Sequence, residues 1–187
     1  MDWREGAVGA NISVRLGGMM ATIQDALRKL KTLDQEGRLA CPVDFEAMCA
    51  CGRVDLPSVG AKTKIDRQKC TVVTGSVEVE KLALDAPMLV QGNLIVKVLT
   101  TTSDLVVLGN AEVLNSVVGT GGVNSDHPGL TVVGKVTIGH AEMRGGYIMQ
   151  FLGGGTVREF GDEDGGVEEL LDLLGKKLKV SKIVPLS

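Results

Sequence analysis

The chain has 187 residues, 44% hydrophobic and 23% charged, and 20 Lys+Arg against 23 Asp+Glu leave a formal charge of −3, which suits one medium domain plus a small appendage. Twenty-five glycines against five aromatic residues, at a mean hydropathy of +0.18, describe a core of Val, Leu, Ile and Ala arranged in stacked aliphatic layers. The near-neutral charge excludes the basic, aromatic-studded face of a nucleic-acid binder, and no apolar run approaches the roughly 20 residues that cross a bilayer.

The first segment, Met1 to Gly18, carries Asp2, Arg4, Glu5 and Arg15 where a signal peptide needs its apolar stretch, so a protein made in a cytosol is expected. Its glycines around Asn11–Leu16 suit an arm that gains order by adding to a partner. Thr22 then caps a predicted helix running to Glu36, with Asp25 at the capping-box position and an apolar stripe at Ile23, Ala26, Leu30 and Leu33. That stripe either packs on an end of the following domain or forms a short coiled-coil seam between copies, a homotrimer being the favoured assembly. Cys41, Cys49, Cys51 and Cys70 follow at spacings of 8, 2 and 19. These match neither a paired CxxC zinc ribbon nor a Cys₂His₂ finger, and reduced, half-buried thiols are the simpler reading.

The middle of the chain repeats. Gly75, Gly92 and Gly109 are 17 residues apart, and Gly134 follows after 25, which is 17 plus an eight-residue insertion from Gly121 to Pro128. Aligned on these glycines, Val73, Val90, Val107 and Val132 stand two before; Val77, Leu94, Ala111 and Val136 two after; and Val79, Val96, Val113 and Ile138 four after. Polar residues intervene, giving the alternation of strands. Weaker columns follow at Leu82, Leu99, Ser116 and Ala141, and at Leu84, Thr101, Val118 and Met143. A period of 17 is too short for helical hairpin repeats or propeller blades and lacks the leucine-rich signature. It fits a turn of a parallel β-solenoid, in which identical columns stack into inner ladders and each glycine marks a corner needing positive φ or close backbone approach. The predicted fold is therefore mainly β: four clear turns, with degenerate first and last turns at Val54–Lys69 and Gly146–Glu159, flanked by short helices.

Beyond it, Asp162–Gly166 is an acidic, glycine-rich linker into a helix, Val167–Lys177, with Leu170, Leu171, Leu174 and Leu178 on one side. Lys179–Leu186 alternates like a final strand able to pair with a neighbouring chain. The expected organisation is an arm (1–18), a helical segment and linker (19–52), the solenoid (53–159), and a linker, helix and tail (160–187).

Chemistry-bearing groups do not converge in the sequence. His127 lies in the insertion and His140 at a predicted turn, both solvated. Gly119–Gly122 and Gly153–Gly155 lack the Lys-Ser/Thr of a P-loop, and the acidic run from Asp162 lacks the alternating ligands of a calcium loop. Left-handed β-helix acyltransferases turn a corner every six residues and the related carbonic anhydrases need three histidine ligands, whereas this chain repeats at 17 and has two histidines. No catalytic residue, metal or cofactor is expected.

Residues 105–113 (LVVLGNAEV), with 88–96 (MLVQGNLIV) and 130–138 (LTVVGKVTI), resemble the LTVTGNATV repeats of fibre, spike and appendage proteins of bacteriophages and large DNA viruses. The resemblance spans Cys70 to Gly145. It implies a non-enzymatic β-helical shaft in a virion, as a fibre, spike, cement or minor capsid component, joined by an N-terminal segment to other structural proteins of the assembly. The chain is also similar to bactofilins, polymer-forming bacterial cytoskeletal scaffolds, but lacks their G-x-V-x-G-x-I spacing and carries helices on both flanks.

Overall fold

A parallel β-solenoid of about six turns emerges in a computed structural model of the chain, which describes residues 24–25, 27–28, 30–32, 34–37, 43–121, 129–162, 167, 171 and 177–186. A four-residue helix, α1 (Phe45–Met48), precedes β1 (Arg53–Leu56). Successive turns then alternate a short and a long strand: β2 (Cys70–Val73) and β3 (Val77–Leu84), β4 (Met88–Val90) and β5 (Leu94–Thr101), β6 (Leu105–Val107) and β7 (Ala111–Thr120), β8 (Gly129–Val132) and β9 (Val136–Arg144), β10 (Ile148–Phe151) and β11 (Gly155–Asp162), with β12 (Leu178–Pro185) last. The short strands stack in the order β1-β2-β4-β6-β8-β10 and the long ones in the order β3-β5-β7-β9-β11-β12, two parallel sheets of six strands each. Paired residues of the first sheet step by 17, 17, 17, 25 and 19 along the chain, a mean of 19. At about 4.8 Å per turn the stack rises on the order of 30 Å.

The inner ladder expected from the repeat is continuous. Val73, Val90, Val107 and Val132 are in register, fully buried, and extended by Leu56 below and Phe151 above. On the facing sheet Val79, Val96, Val113 and Ile138 align and continue through Val157 to Val180. Val79, near one end of the stack, is only half-buried.

The two weaker columns need correction. Leu114 and Asn115 of β7 together oppose the single residues Lys97 of β5 and Gly139 of β9, a β-bulge that moves later residues of β7 by one. Leu99 therefore pairs with Val117, not Ser116, and Thr101 with Gly119, not Val118. Ser116 and Val118 turn outward, and Leu114 is left 51% exposed. A Cβ on Gly139 would lie 2.5 Å from the Leu114 carbonyl oxygen, so glycine accommodates the bulge.

The corner glycines answer the sequence's alternative in favour of close approach. Gly75, Gly92, Gly109 and Gly134 all lie outside the left-handed region occupied by Gly37, Gly52, Gly145, Gly146, Gly154 and Gly155. They stack instead: the N–H of Gly92 donates to Gly75 O (2.9 Å), that of Gly109 to Gly92 O (3.1 Å) and that of Gly134 to Gly109 O (3.0 Å). A Cβ on Gly109 would sit 2.4 Å from Gly92 O, and one on Gly153, a fifth member, 2.3 Å from Gly134 O. Beside this column runs a polar ladder. Ser76 Oγ accepts from Asn93 N (3.0 Å), Asn93 Oδ1 from Asn110 N (2.9 Å) and Asn110 Oδ1 from Lys135 N (2.9 Å), which satisfies corner amides that no strand pairs.

The two sheets differ on their outer faces. The long strands alternate buried and exposed residues, as in the Glu78, Glu80 and Lys81 positions of β3, and face solvent. β2, β4 and β6 are buried on both sides, since the outward residues Val72, Leu89 and Val106 pack with Leu30 and Met48, whereas Asp55 of β1 in the same column is exposed. A parallel sheet buried on both faces carries near-continuous apolar runs, as CTVV, MLV and LVV do. Thr131 and Gln150 continue this outward column and are buried, with Gln150 Nε2 donating to Thr131 Oγ1 (2.7 Å). Leu30, one member of the stripe expected to pack on a solenoid end or form a seam between copies, is 2% exposed and lies against the lateral face of the short-strand sheet. The helical residues are 24–25, 27–28, 30–32 and 34–35; Ile23, Ala26 and Leu33 lie outside the described residues.

Segments that connect strands near the ends of the stack add to its interior. Val167, 1% exposed, and Leu171 join the interior cluster from the segment between β11 and β12. Val59, in parallel register with Val77, extends that inner column by one turn, and Ile65 packs against the same cluster. The final strand, expected to seek a neighbouring chain, pairs with β11 of its own chain over seven registered positions from Gly155↔Leu178 to Asp162↔Pro185.

Two substitutions test this architecture by chemical denaturation. Val107→Asp should lower stability by several kcal/mol, since it buries an unpaired carboxylate. Gly109→Ala should cost about 1–3 kcal/mol, whereas Gly60→Ala, where an added Cβ meets nothing within 4 Å, should change little.

Candidate functional site

Two groups of polar side chains stand out from the ladders. The first lies on the solvent face of the long-strand sheet, where Val98, Ser116, His140, Glu159 and Lys182 occupy one column across five strands. His140 is part of β9 rather than a turn. Its Nε2 lies 2.7 Å from Glu142 Oε1 and its Nδ1 3.5 Å from Glu159 Oε2. Arg144 completes the cluster, with Nε and Nη2 at 2.9 and 2.8 Å from Glu142 Oε2. The bond with His140, reinforced by Arg144, holds the Glu142 carboxyl below the usual carboxylate range. The column places a serine, a histidine and a glutamate on neighbouring turns, but both imidazole nitrogens are directed at carboxylates, so the ring does not serve Ser116 as a base. The His140–Glu159 contact links β9 to β11, and the Lys97–Glu80 ion pair links β5 to β3.

The second group sits at the corner where the 25-residue step re-enters the stack. Asp104 Oδ1 accepts from Gly129 N at 2.9 Å, and the neighbouring Ser103 carbonyl accepts from Tyr147 Oη (3.2 Å) and Thr101 Oγ1 (2.8 Å). Asp104 is half-buried, and burial pushes its carboxyl pKa up against the opposing effect of the Gly129 amide. Gly119 and Gly121 belong to this corner as packing positions: a Cβ on Gly119 would fall 2.1 Å from the Tyr147 ring, and one on Gly121 1.9 Å from Gly145 O. His127 lies outside the described residues.

No protein-family model, curated protein or solved structure matches this chain. Among the described residues, no three His, Cys, Asp or Glu side chains are grouped so as to hold a metal ion, and no helix is long and apolar enough to cross a membrane. Cys41 lies outside them. The Asn ladder, the His140–Glu159 contact and the Asp104 anchor link one turn to the next, while the bonds of Glu142 to His140 and Arg144 stay within β9. Glu142 and Arg144 lie on the same strand as His140, whereas Glu159, 19 residues after it, enters only once the register is known.

The two carboxyls predict opposite pH effects. Asp104, with its folded pKa raised, contributes stability below the ordinary carboxylate range and loses it as pH rises through the raised value. Asp104→Asn keeps an acceptor for Gly129 N and carries no buried charge, so it should melt at or above wild type at pH 7, the gain shrinking toward pH 4. Glu142, with its folded pKa lowered, contributes stability above the ordinary range and loses it as pH falls; Glu142→Gln should flatten that acid limb. Melting curves from pH 3 to 8 measure both.

Proposed function

We propose that the protein is a non-enzymatic structural component of a virus particle, a spacer whose solenoid sets a fixed height while its terminal segments contact other structural proteins of the assembly. The observation that supports this reading is that connecting segments near both ends of the stack add apolar side chains, Val167, Leu171 and Ile65, to the interior cluster. A solenoid with open ends presents two rows of unpaired backbone groups and grows by adding copies. One whose terminal interior is completed by its own connecting segments suits a unit of defined length, a building block more than a bactofilin-like filament. The inter-turn use of polar side chains supports the same reading, since groups committed to stacking are unavailable for turnover.

In this reading the site of action is the virion, with assembly in the host cytosol, and no nucleic acid, membrane span or cofactor is involved. Copies of the chain associate with one another, a trimer being the expected state. With Leu30 committed inside its own chain, contacts fall to the arm at 1–18, the solvent face of the long-strand sheet and the outer edge of β12.

Negative-stain microscopy of the purified chain, with light scattering at micromolar concentration, tests the proposal. Discrete particles of defined oligomeric state are expected, and long filaments would overturn it in favour of the scaffold reading. Deleting residues 1–18 should abolish incorporation into the parent assembly while the solenoid's melting stays nearly unchanged; normal incorporation would remove the arm from the account.

A further inference from the structure

Outside the ladders, two thiols meet where the helical cover joins the solenoid. Cys49 directly follows α1, Cys70 opens β2, and their Sγ atoms are 3.0 Å apart although 21 residues separate them in the chain. Cys70 is fully buried within the outer cluster of Leu30, Met48, Val72, Leu89 and Val106, against which Cys49 packs half-buried, while Cys51 is exposed. We propose that Cys49 and Cys70 form a disulfide that fastens the helical cover to the short-strand sheet, with a low-molecular-weight disulfide such as oxidised glutathione as the oxidant. A bond of about 2.05 Å requires the two sulfurs to close by about 1 Å, a small shift for a four-residue helix at the surface.

The exchange proceeds from the more accessible sulfur. Cys49 Sγ, as thiolate, attacks one glutathione sulfur, forming a mixed disulfide and expelling the first glutathione thiolate. Cys70 Sγ then attacks Cys49 Sγ, breaking the mixed disulfide and expelling the second. The two protein thiols lose two electrons and two protons, and the glutathione disulfide gains them as two thiols. Burial, followed by the Cys49 contact and the nearby Cys51, pushes the Cys70 thiol well above its usual range. A reductant must attack Cys49 and expel Cys70, and a thiol of high pKa is a slow leaving group. The bond therefore forms slowly and, once made, opens slowly.

The full-length protein incubated with oxidised glutathione, then alkylated, digested and mapped by mass spectrometry, provides the test. Expected are a Cys49–Cys70 cross-linked peptide and a melting temperature raised by about 5–10 °C, as a closed loop of this length gives. Cys49→Ser should abolish both effects and Cys51→Ser neither. Because Cys70 is buried and its replacement can impair folding, the half-buried Cys49 position carries the comparison. A cross-link through Cys41 or Cys51, a persistent glutathione adduct on Cys49 without a cross-link, or unchanged thiols in a folded protein would each overturn the proposal.

Discussion

Every turn of this solenoid can satisfy its strand amides and carbonyls only by pairing with the turns above and below it, at about 4.8 Å. The other features follow from that requirement. Residues at equivalent positions are forced into vertical columns, so a position that faces inward once faces inward in every turn. At the tightest corner the backbones approach until a Cβ would meet the carbonyl oxygen below, and the column from Gly75 to Gly153 excludes all other side chains. One residue further on, strand pairing lapses and Asn93 and Asn110 supply the missing acceptors. At the two ends pairing stops altogether, and apolar side chains from connecting segments complete the interior.

The same requirement explains what could be read before the structure was known. The Val73 column and the corner glycines were legible because stacking imposes one residue type on each, and their common spacing identifies a solenoid. The bulge in β7 was not, because one extra residue conserves the local apolar pattern while exchanging inside for outside; Leu114 resembles a core residue and is exposed. The lateral cover also escaped notice. Val72, Leu89 and Val106 sit beside the inner ladder in unbroken apolar runs, and a run without alternation does not reveal that both its faces are covered. The contacts His140–Glu159 and Cys70–Cys49 were hidden more deeply, since these pairs are 19 and 21 residues apart with no motif to join them.

The division of labour between the sheets bears on what the molecule offers to others. The short-strand sheet is enclosed between the inner ladder and the packed Leu30 and Met48, so its outer face has no free surface there. The long-strand sheet is its opposite: solvated, with charged residues of both signs and two exposed large apolar side chains, Leu114 and Ile183, among the described residues. A face of mixed charge suits lateral contact more than capture of a small ligand, which needs concavity.

The strand pairing has a consequence for how the chain reaches its native state. Residues paired across turns are 17 to 25 positions apart in a chain of 187, so the relative contact order is on the order of 0.1, nearer to helical bundles than to β-sandwiches. Ordering can therefore spread from any pair of adjacent turns to the next without first closing a long loop. Unfolding under load or denaturant should retrace that path, peeling one turn at a time from either end.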